Sequence, residues 1–200
     1  MQYPALYTPP LTDEFVTDGD RLIELLRLCW ITPESDTPIT LDPWQEWLLR
    51  RVLERYPDDH PKYPGELRYR QVLISMARQQ GKTVLLGGLG LEAALFRRGD
   101  IASIASSLEQ AKITYDRVKL VIDRTPWLAK RFKKTTETRG IAKVDGSGKY
   151  KSSPAREAAL QGITLIRVLF DEGHLAKRGL WTAAVKGTNA LDNAQVIMIT

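Results

Sequence analysis

One stretch constrains this chain more than any other: Ser75-Met76-Ala77-Arg78-Gln79-Gln80-Gly81-Lys82-Thr83. The apolar run Val72-Leu73-Ile74 leads into it, and a helix-forming segment beginning Val84-Leu85-Leu86 leads out. Strand, tight turn with Gly-Lys-Thr, then helix is the layout of a phosphate-binding loop. The chemistry asks for these residue types. Gly81 lets the backbone come close to a phosphate. Amides at a helix start, with the helix dipole behind them, favour an anion. Lys82 would reach the β- and γ-phosphates and the Thr83 hydroxyl would ligate Mg²⁺; Gln79 and Gln80 lie in the same loop. One position departs from the usual pattern, because Met76 stands where a glycine is common. A Gly-Lys-Thr tripeptide at a helix start also arises by chance, so the rest of the chain has to decide.

Upstream, residues 1–19 read as an extended, proline-rich arm, and Arg21 to Trp30 as an amphipathic helix. After a loop with Pro33 and Pro38, Asp42 is a good N-cap and Pro43 a good first helical residue. That helix is expected to run to about Tyr56. Pro57, Pro61 and Pro64 then enforce a loop, so the division expected is 1–64 for an N-terminal arm with helices and 65–200 for a core.

Within the core, Arg68 to Ile74 reads as the strand into the loop and Lys82 to Phe96 as the helix out of it. Ile101 to Ser106 has the short apolar character of a buried parallel strand, and Ser107 caps a helix running to Ile122. The alternation β-α-β-α predicts an α/β fold, a mainly parallel sheet with helices on its faces. Residues 130–153 differ: they are rich in Lys and Arg, and Asp145-Gly146-Ser147-Gly148 reads as the turn of a small basic β-hairpin. Such an edge suits DNA phosphates through lysines such as Lys133 and Lys134, in salt-sensitive and sequence-nonspecific contact. It equally suits a solvated surface hairpin. The formal net charge of +5 is compatible with nucleic acid without requiring it. The one cysteine, Cys29, lies in an apolar helical run, so it reads as a core residue in a reducing compartment. No run of residues approaches the length of a membrane-spanning helix.

The second decisive motif is Val168-Leu169-Phe170-Asp171-Glu172. Ending a buried apolar strand on two carboxylates is costly unless the charges find partners. At the carboxyl edge of a parallel sheet they meet a ligand. Asp171 would hold the Mg²⁺ shell beside Thr83, and Glu172 would orient and activate the water that attacks the γ-phosphate.

Together these stretches resemble the N-terminal ATPase part of a tailed-bacteriophage terminase large subunit, over about residues 40–200. Leu41-Asp42-Pro43-Trp44-Gln45 is similar to the family's segment on the adenine side, and Arg78-Gln79-Gln80-Gly81-Lys82-Thr83 to its P-loop, which often lacks the first glycine. Ala105 to Ala111 resembles the following strand-to-helix segment. Leu160-Gln161-Gly162 and Leu169 to His174 resemble the turn and the Walker B strand, and Met198-Ile199-Thr200 the start of the coupling motif. The resemblance implies a three-layer P-loop NTPase of the ASCE type and a Mg²⁺-dependent ATPase. It implies Arg78 as a residue acting on the γ-phosphate, in its own subunit or a neighbour's, and Thr200 as a coupling residue. Trp44 and Gln45 would contact adenine, or simply form a helix start. The implied partners are double-stranded DNA, a terminase small subunit, the portal protein of a procapsid and further copies in a ring, in the cytoplasm of an infected bacterium.

Departures set further expectations. Arg167 interrupts an otherwise apolar strand and is expected at its exposed start, Gly173 stands where alanine is commoner as a minor change, and His174 reads as a structural polar residue. The family's later strands and nuclease domain do not follow, so the sequence looks like a fragment truncated at its C-terminus. Two other readings stay open: a superfamily-two helicase-like translocase, suggested by Asp-Glu-Gly-His, and a non-catalytic assembly module whose incomplete sheet exposes an edge.

Overall fold

A computed structural model of the chain describes residues 7–133 and 140–200. Lys134, one of the two lysines expected at DNA, lies outside the described residues. The chain forms two compact units, Met1–Arg70 and Gln71–Thr200.

The first unit carries helices α1 (Gly19–Cys29) and α2 (Pro43–Val52). Helix α2 starts where its caps demand: Pro43 takes the first turn, and Asp42 and Gln45 form a capping box in which the Asp42 amide donates to Gln45 Oε1 at 2.9 Å. It stops at Val52, short of Tyr56, because the next residues bond elsewhere. The Arg55 amide donates to the Val16 carbonyl and the Arg68 amide to the Glu54 carbonyl. Residues 66–68 are thereby held to the first unit. Glu54 is fully buried. It is neutralised by Arg51 and by Arg68, whose Nη1 is 2.9 Å away, and it accepts from the Leu11 amide and the Tyr69 hydroxyl, each at 3.1 Å. Cys29 is buried in α1, and burial pushes its thiol up to about 11.

The second unit is a six-stranded sheet. In chain order its elements are β1 (Gln71–Ile74), α3 (Lys82–Phe96), β2 (Asp100–Ile104), α4 (Leu108–Arg124), α5 (Pro126–Ala129), β3 (Ile141–Ala142), β4 (Lys149–Ser153), β5 (Leu165–Phe170), α6 (Arg178–Thr188) and β6 (Gln195–Ile199). Across the sheet the order is β1-β6-β5-β2-β4-β3, parallel at every pairing except β3 with β4. The fold is therefore α/β with a mostly parallel sheet, as the element order predicts. Helix α3 has buried residues along nearly its whole middle, and β5 is buried at all six positions. A helix and a strand buried on nearly every side mark the centre of a layered core.

The basic hairpin is present, as the antiparallel pair β3–β4 at the edge of the sheet. Strand β4 joins the main sheet parallel to β2, pairing Tyr150 with Ile101 and Ser153 with Ile104. Tyr150 is fully buried and its hydroxyl bonds Ser103. Two of the run's cations are taken up in the structure. Lys143 is buried, with Nζ donating to the Arg97 carbonyl, and Lys149 lies 3.6 Å from Asp100. Desolvation holds the Lys143 ammonium below the ordinary lysine range. Lys130, Arg131 and Lys133 remain exposed.

Arg167 is a second correction. It sits in the middle of β5, with no exposed side-chain surface. Its charge is met from helix α3, where Glu92 Oε2 lies 2.5 Å from Nη1. The same nitrogen donates to the Leu89 carbonyl at 2.8 Å, and Nη2 donates to Gln195 Oε1 on β6 at 2.7 Å.

Candidate nucleotide-binding site

The carboxyl ends of β1, β2, β5 and β6 all face one side of the sheet, because these strands run parallel. The loops that leave β1 and β5 there line a cleft of about 500 Å³. It brings together Arg78, Gln79, Gly81, Lys82 and Thr83 from the first loop with Asp171, Glu172 and His174 from the second. Residues far apart in the chain thus meet because β5 and β1 flank the same strand, β6. Gln80 lies in the same turn, while Trp44 and Gln45 belong to the first unit, where Gln45 serves as a helix cap.

The loop geometry is built into its sequence. Gly81 is the N-cap of α3 and takes φ 82°, a left-handed conformation that a Cβ would penalise. Gln79 takes φ 61° and Glu172 φ 52°, each without glycine's freedom. Such backbone strain costs on the order of 1–3 kcal/mol and clusters at functional sites. The loop is stitched to β6: the Met76 amide donates to the Thr200 carbonyl at 3.0 Å, and the Thr200 amide donates to the Ile74 carbonyl at 2.9 Å.

Charges converge on Glu172. Its Oε1 is 3.8 Å from Lys82 Nζ, and its Oε2 is 3.4 Å from His174 Nδ1. The His174 nitrogen is also 2.8 Å from Thr200 Oγ1. Asp171 is fixed from both sides of the chain. Its own amide donates to the Ile104 carbonyl at 2.8 Å, and Oδ1 accepts the Glu172 amide at 3.0 Å. Burial, and then the Glu172 charge, push the Asp171 carboxyl above the ordinary aspartate range; the Glu172 amide, Lys82 and the Thr114 hydroxyl pull the other way.

Two residues of α4 at or near the cleft have no role assigned from the sequence. Gln110, on α4, lines the cleft and its Oε1 accepts the Ser106 hydroxyl. Thr114, one turn further along, is buried and acts on Asp171. For Thr114 a signal existed: it falls on the buried stripe of α4 with Ala111, Tyr115 and Val118, where a polar residue is out of place, whereas Gln110 is exposed.

Gly173 is not interchangeable with alanine. A Cβ built there would stand 2.0 Å from Met198 Cγ and 2.5 Å from Sδ, on β6. Gly173→Ala is expected to destabilise the second unit by roughly 1–3 kcal/mol, as overpacking does. Met198→Ala in the same chain should recover most of that loss. Urea unfolding of the three variants measures it, and simple additivity of the two substitutions would exclude the clash.

This fold and cleft define a P-loop NTPase architecture in which a strand, β6, stands between the P-loop strand and the strand ending in Asp-Glu. The sequence matches no protein-family model, and no curated protein matches it. Among solved structures, the chain is similar to the large terminase of bacteriophage HK97, at 24% identity and a TM-score of 0.75, covering 92% of this chain. It spans 38% of that protein's chain. It is also similar to the large terminase ATPase domain of Thermus phage P74-26, at 21% identity and TM-score 0.55, covering 66% of this chain and 59% of that one. A third likeness is to the large terminase of a thermophilic bacteriophage, solved with ATP-γ-S, at 15% identity and TM-score 0.51, covering 66% and 32%. The chain has the fold of a phage large-terminase ATPase domain.

Proposed function

We propose that this chain is the ATPase part of a terminase large subunit, which hydrolyses ATP to drive double-stranded DNA into a procapsid. The observation that carries the reading is the convergence of Gly81-Lys82-Thr83 and Asp171-Glu172 on one cleft, with Lys82 Nζ 3.8 Å from Glu172. The likeness to large terminases, one of them solved with ATP-γ-S, supports it.

In this reading Lys82 and the amides at the start of α3 receive the phosphates, and Arg78 adds positive charge at the γ-phosphate. Glu172 accepts a proton from the attacking water. Trp44 and Gln45 are assigned to the adenine side by resemblance, and Thr200 to coupling.

Mg²⁺ fits the residues present. Among the described residues no three His, Cys, Asp or Glu side chains gather as a metal cage. A nucleotide-borne Mg²⁺ needs none, since phosphates and water complete its octahedron. Thr83 and Asp171 would offer it hard oxygens, and a cation there would relieve the crowding of Asp171 by Glu172. When bound, Mg²⁺ neutralises charge on the β- and γ-phosphates.

The exposed Lys133, with Lys130 and Arg131, is the proposed contact for DNA phosphates. A small subunit, the portal and further copies of the chain are the partners this function calls for, in the host cytoplasm. No helix among the described residues is long and apolar enough to cross a membrane.

The test is nucleotide binding. ATP with Mg²⁺ at about a hundred times its dissociation constant should stabilise the chain by roughly 2.7 kcal/mol. Thermal unfolding measures this, and Thr83→Val should remove the Mg²⁺-dependent share. An unfolding temperature insensitive to millimolar ATP would overturn the reading.

A further inference from the structure

We propose that His174 is a positioning residue that ties Glu172 to Thr200 and so keeps the hydrolytic carboxylate aimed at the water. The proposal rests on the ATPase reading above for the role of Glu172, and on geometry for the link itself.

His174 follows Glu172 within a single 3₁₀ turn, Gly173–Leu175. Its Nδ1 is 2.8 Å from Thr200 Oγ1 and 3.4 Å from Glu172 Oε2. A neutral imidazole has one N–H and one lone pair. A lone pair on Nδ1 would point its negative charge at a carboxylate, so Nδ1 carries the proton. One N–H is then shared between the two oxygens, more strongly with the nearer hydroxyl.

Glu172 is held from two sides. Lys82 faces Oε1 and His174 faces Oε2. A phosphate arriving at Lys82 competes with Glu172 for the ammonium. As Lys82 turns to it, His174 is the hold that remains, and it keeps the carboxylate aimed at the water rather than free to swing. Truncating His174 therefore acts on turnover more than on binding.

The other end of the link is anchored to the P-loop. Thr200 exchanges backbone hydrogen bonds with Ile74 and Met76, which flank the start of the loop. Contacts thus run in a closed circuit from the P-loop to Thr200, to His174, to Glu172 and back to Lys82. Gly173 lets the turn sit directly on Met198 of β6, which brings His174 within reach of Thr200.

The experiment combines imidazole ¹⁵N spectra with ATP binding and turnover, in wild type, His174→Ala, His174→Asn and Thr200→Val. In wild type the His174 Nδ1 resonance is expected in the protonated range, and Thr200→Val should move it. His174→Ala should lower kcat by about tenfold or more with KM within about twofold. His174→Asn, which keeps a side-chain N–H, should restore part of the loss. An Nε2–H tautomer indifferent to Thr200→Val overturns the link, and wild-type kcat in His174→Ala overturns the positioning role. A wild-type chain that binds no ATP would sink the ATPase reading instead, and the spectra would still decide the link.

Discussion

Glu172→Gln is expected to bind ATP and stop turning it over, while Lys82→Ala is expected to lose the nucleotide. On the proposed mechanism the two substitutions separate, because the side chains do different work in one cleft. Glutamine keeps the size of glutamate and, as another L-residue, the same left-handed backbone at φ 52°. What it loses is the negative charge and the basicity needed to take a proton from water. General-base catalysis is worth roughly 10²–10⁴-fold in rate, so turnover should fall by that factor. Binding should hold or tighten, because Lys82 no longer has Glu172 as a competing anion 3.8 Å away. Lys82→Ala removes the cation that meets the phosphates and leaves Glu172 without that neighbour. Single-turnover hydrolysis beside equilibrium ATP binding distinguishes the two. Wild-type turnover in Glu172→Gln would remove Glu172 from the mechanism.

The half of the site that is legible in sequence is the half whose chemistry is local. Gly81-Lys82-Thr83 announces itself because a helix start, a left-handed glycine and a cation are encoded within a few residues. Helix α3 runs from Lys82 to Phe96 as expected, because a segment that is apolar but for Glu92 has to be buried. Asp171-Glu172 is readable for the same reason, two acids ending an apolar strand. Thr114 shows only as a polar residue on a buried stripe, because its effect depends on Asp171, far away in the chain.

Pairing partners are the other illegible part. Tyr150 gives no sign in sequence that its strand runs parallel to β2 and buries it completely, since strand order is set by the whole sheet. The end of α2 falls short of its expected place because the backbone of Glu54 and Arg55 bonds residues in other segments. Gly173 looks like a minor departure until its distance to Met198 is known. Arg167 is the clearest case. A guanidinium in an apolar strand suggests an exposed position only while its counter-charge is out of view, and Glu92 lies 75 residues earlier.

That buried pair carries the largest stability effect expected of any single substitution in the second unit. Glu92→Ala would leave the Arg167 guanidinium inside the core without its carboxylate, and would deprive Arg97, whose Nε donates to Glu92 at 3.2 Å. Removing one partner of a buried pair costs about 3–5 kcal/mol, a large share of the roughly 5–15 kcal/mol that holds a domain together. Arg167→Met is expected to cost less, because Arg97 still neutralises Glu92. The double variant Glu92→Leu with Arg167→Met should recover much of the single loss, since an apolar pair of similar volume need not be desolvated as ions. Urea unfolding of the singles and the double gives the coupling directly, and a Glu92→Ala chain within about 1 kcal/mol of wild type would show that the pair does not hold the core. Placement gives the pair a second consequence. Glu92 sits on the helix that begins at Lys82, and Arg167 on the strand that ends before Asp171. An apolar pair can restore stability without restoring the directional bonds to Leu89 and Gln195 that set the register of β5 against α3 and β6. The double variant is therefore expected to fold well yet hydrolyse ATP more slowly than its folded fraction allows.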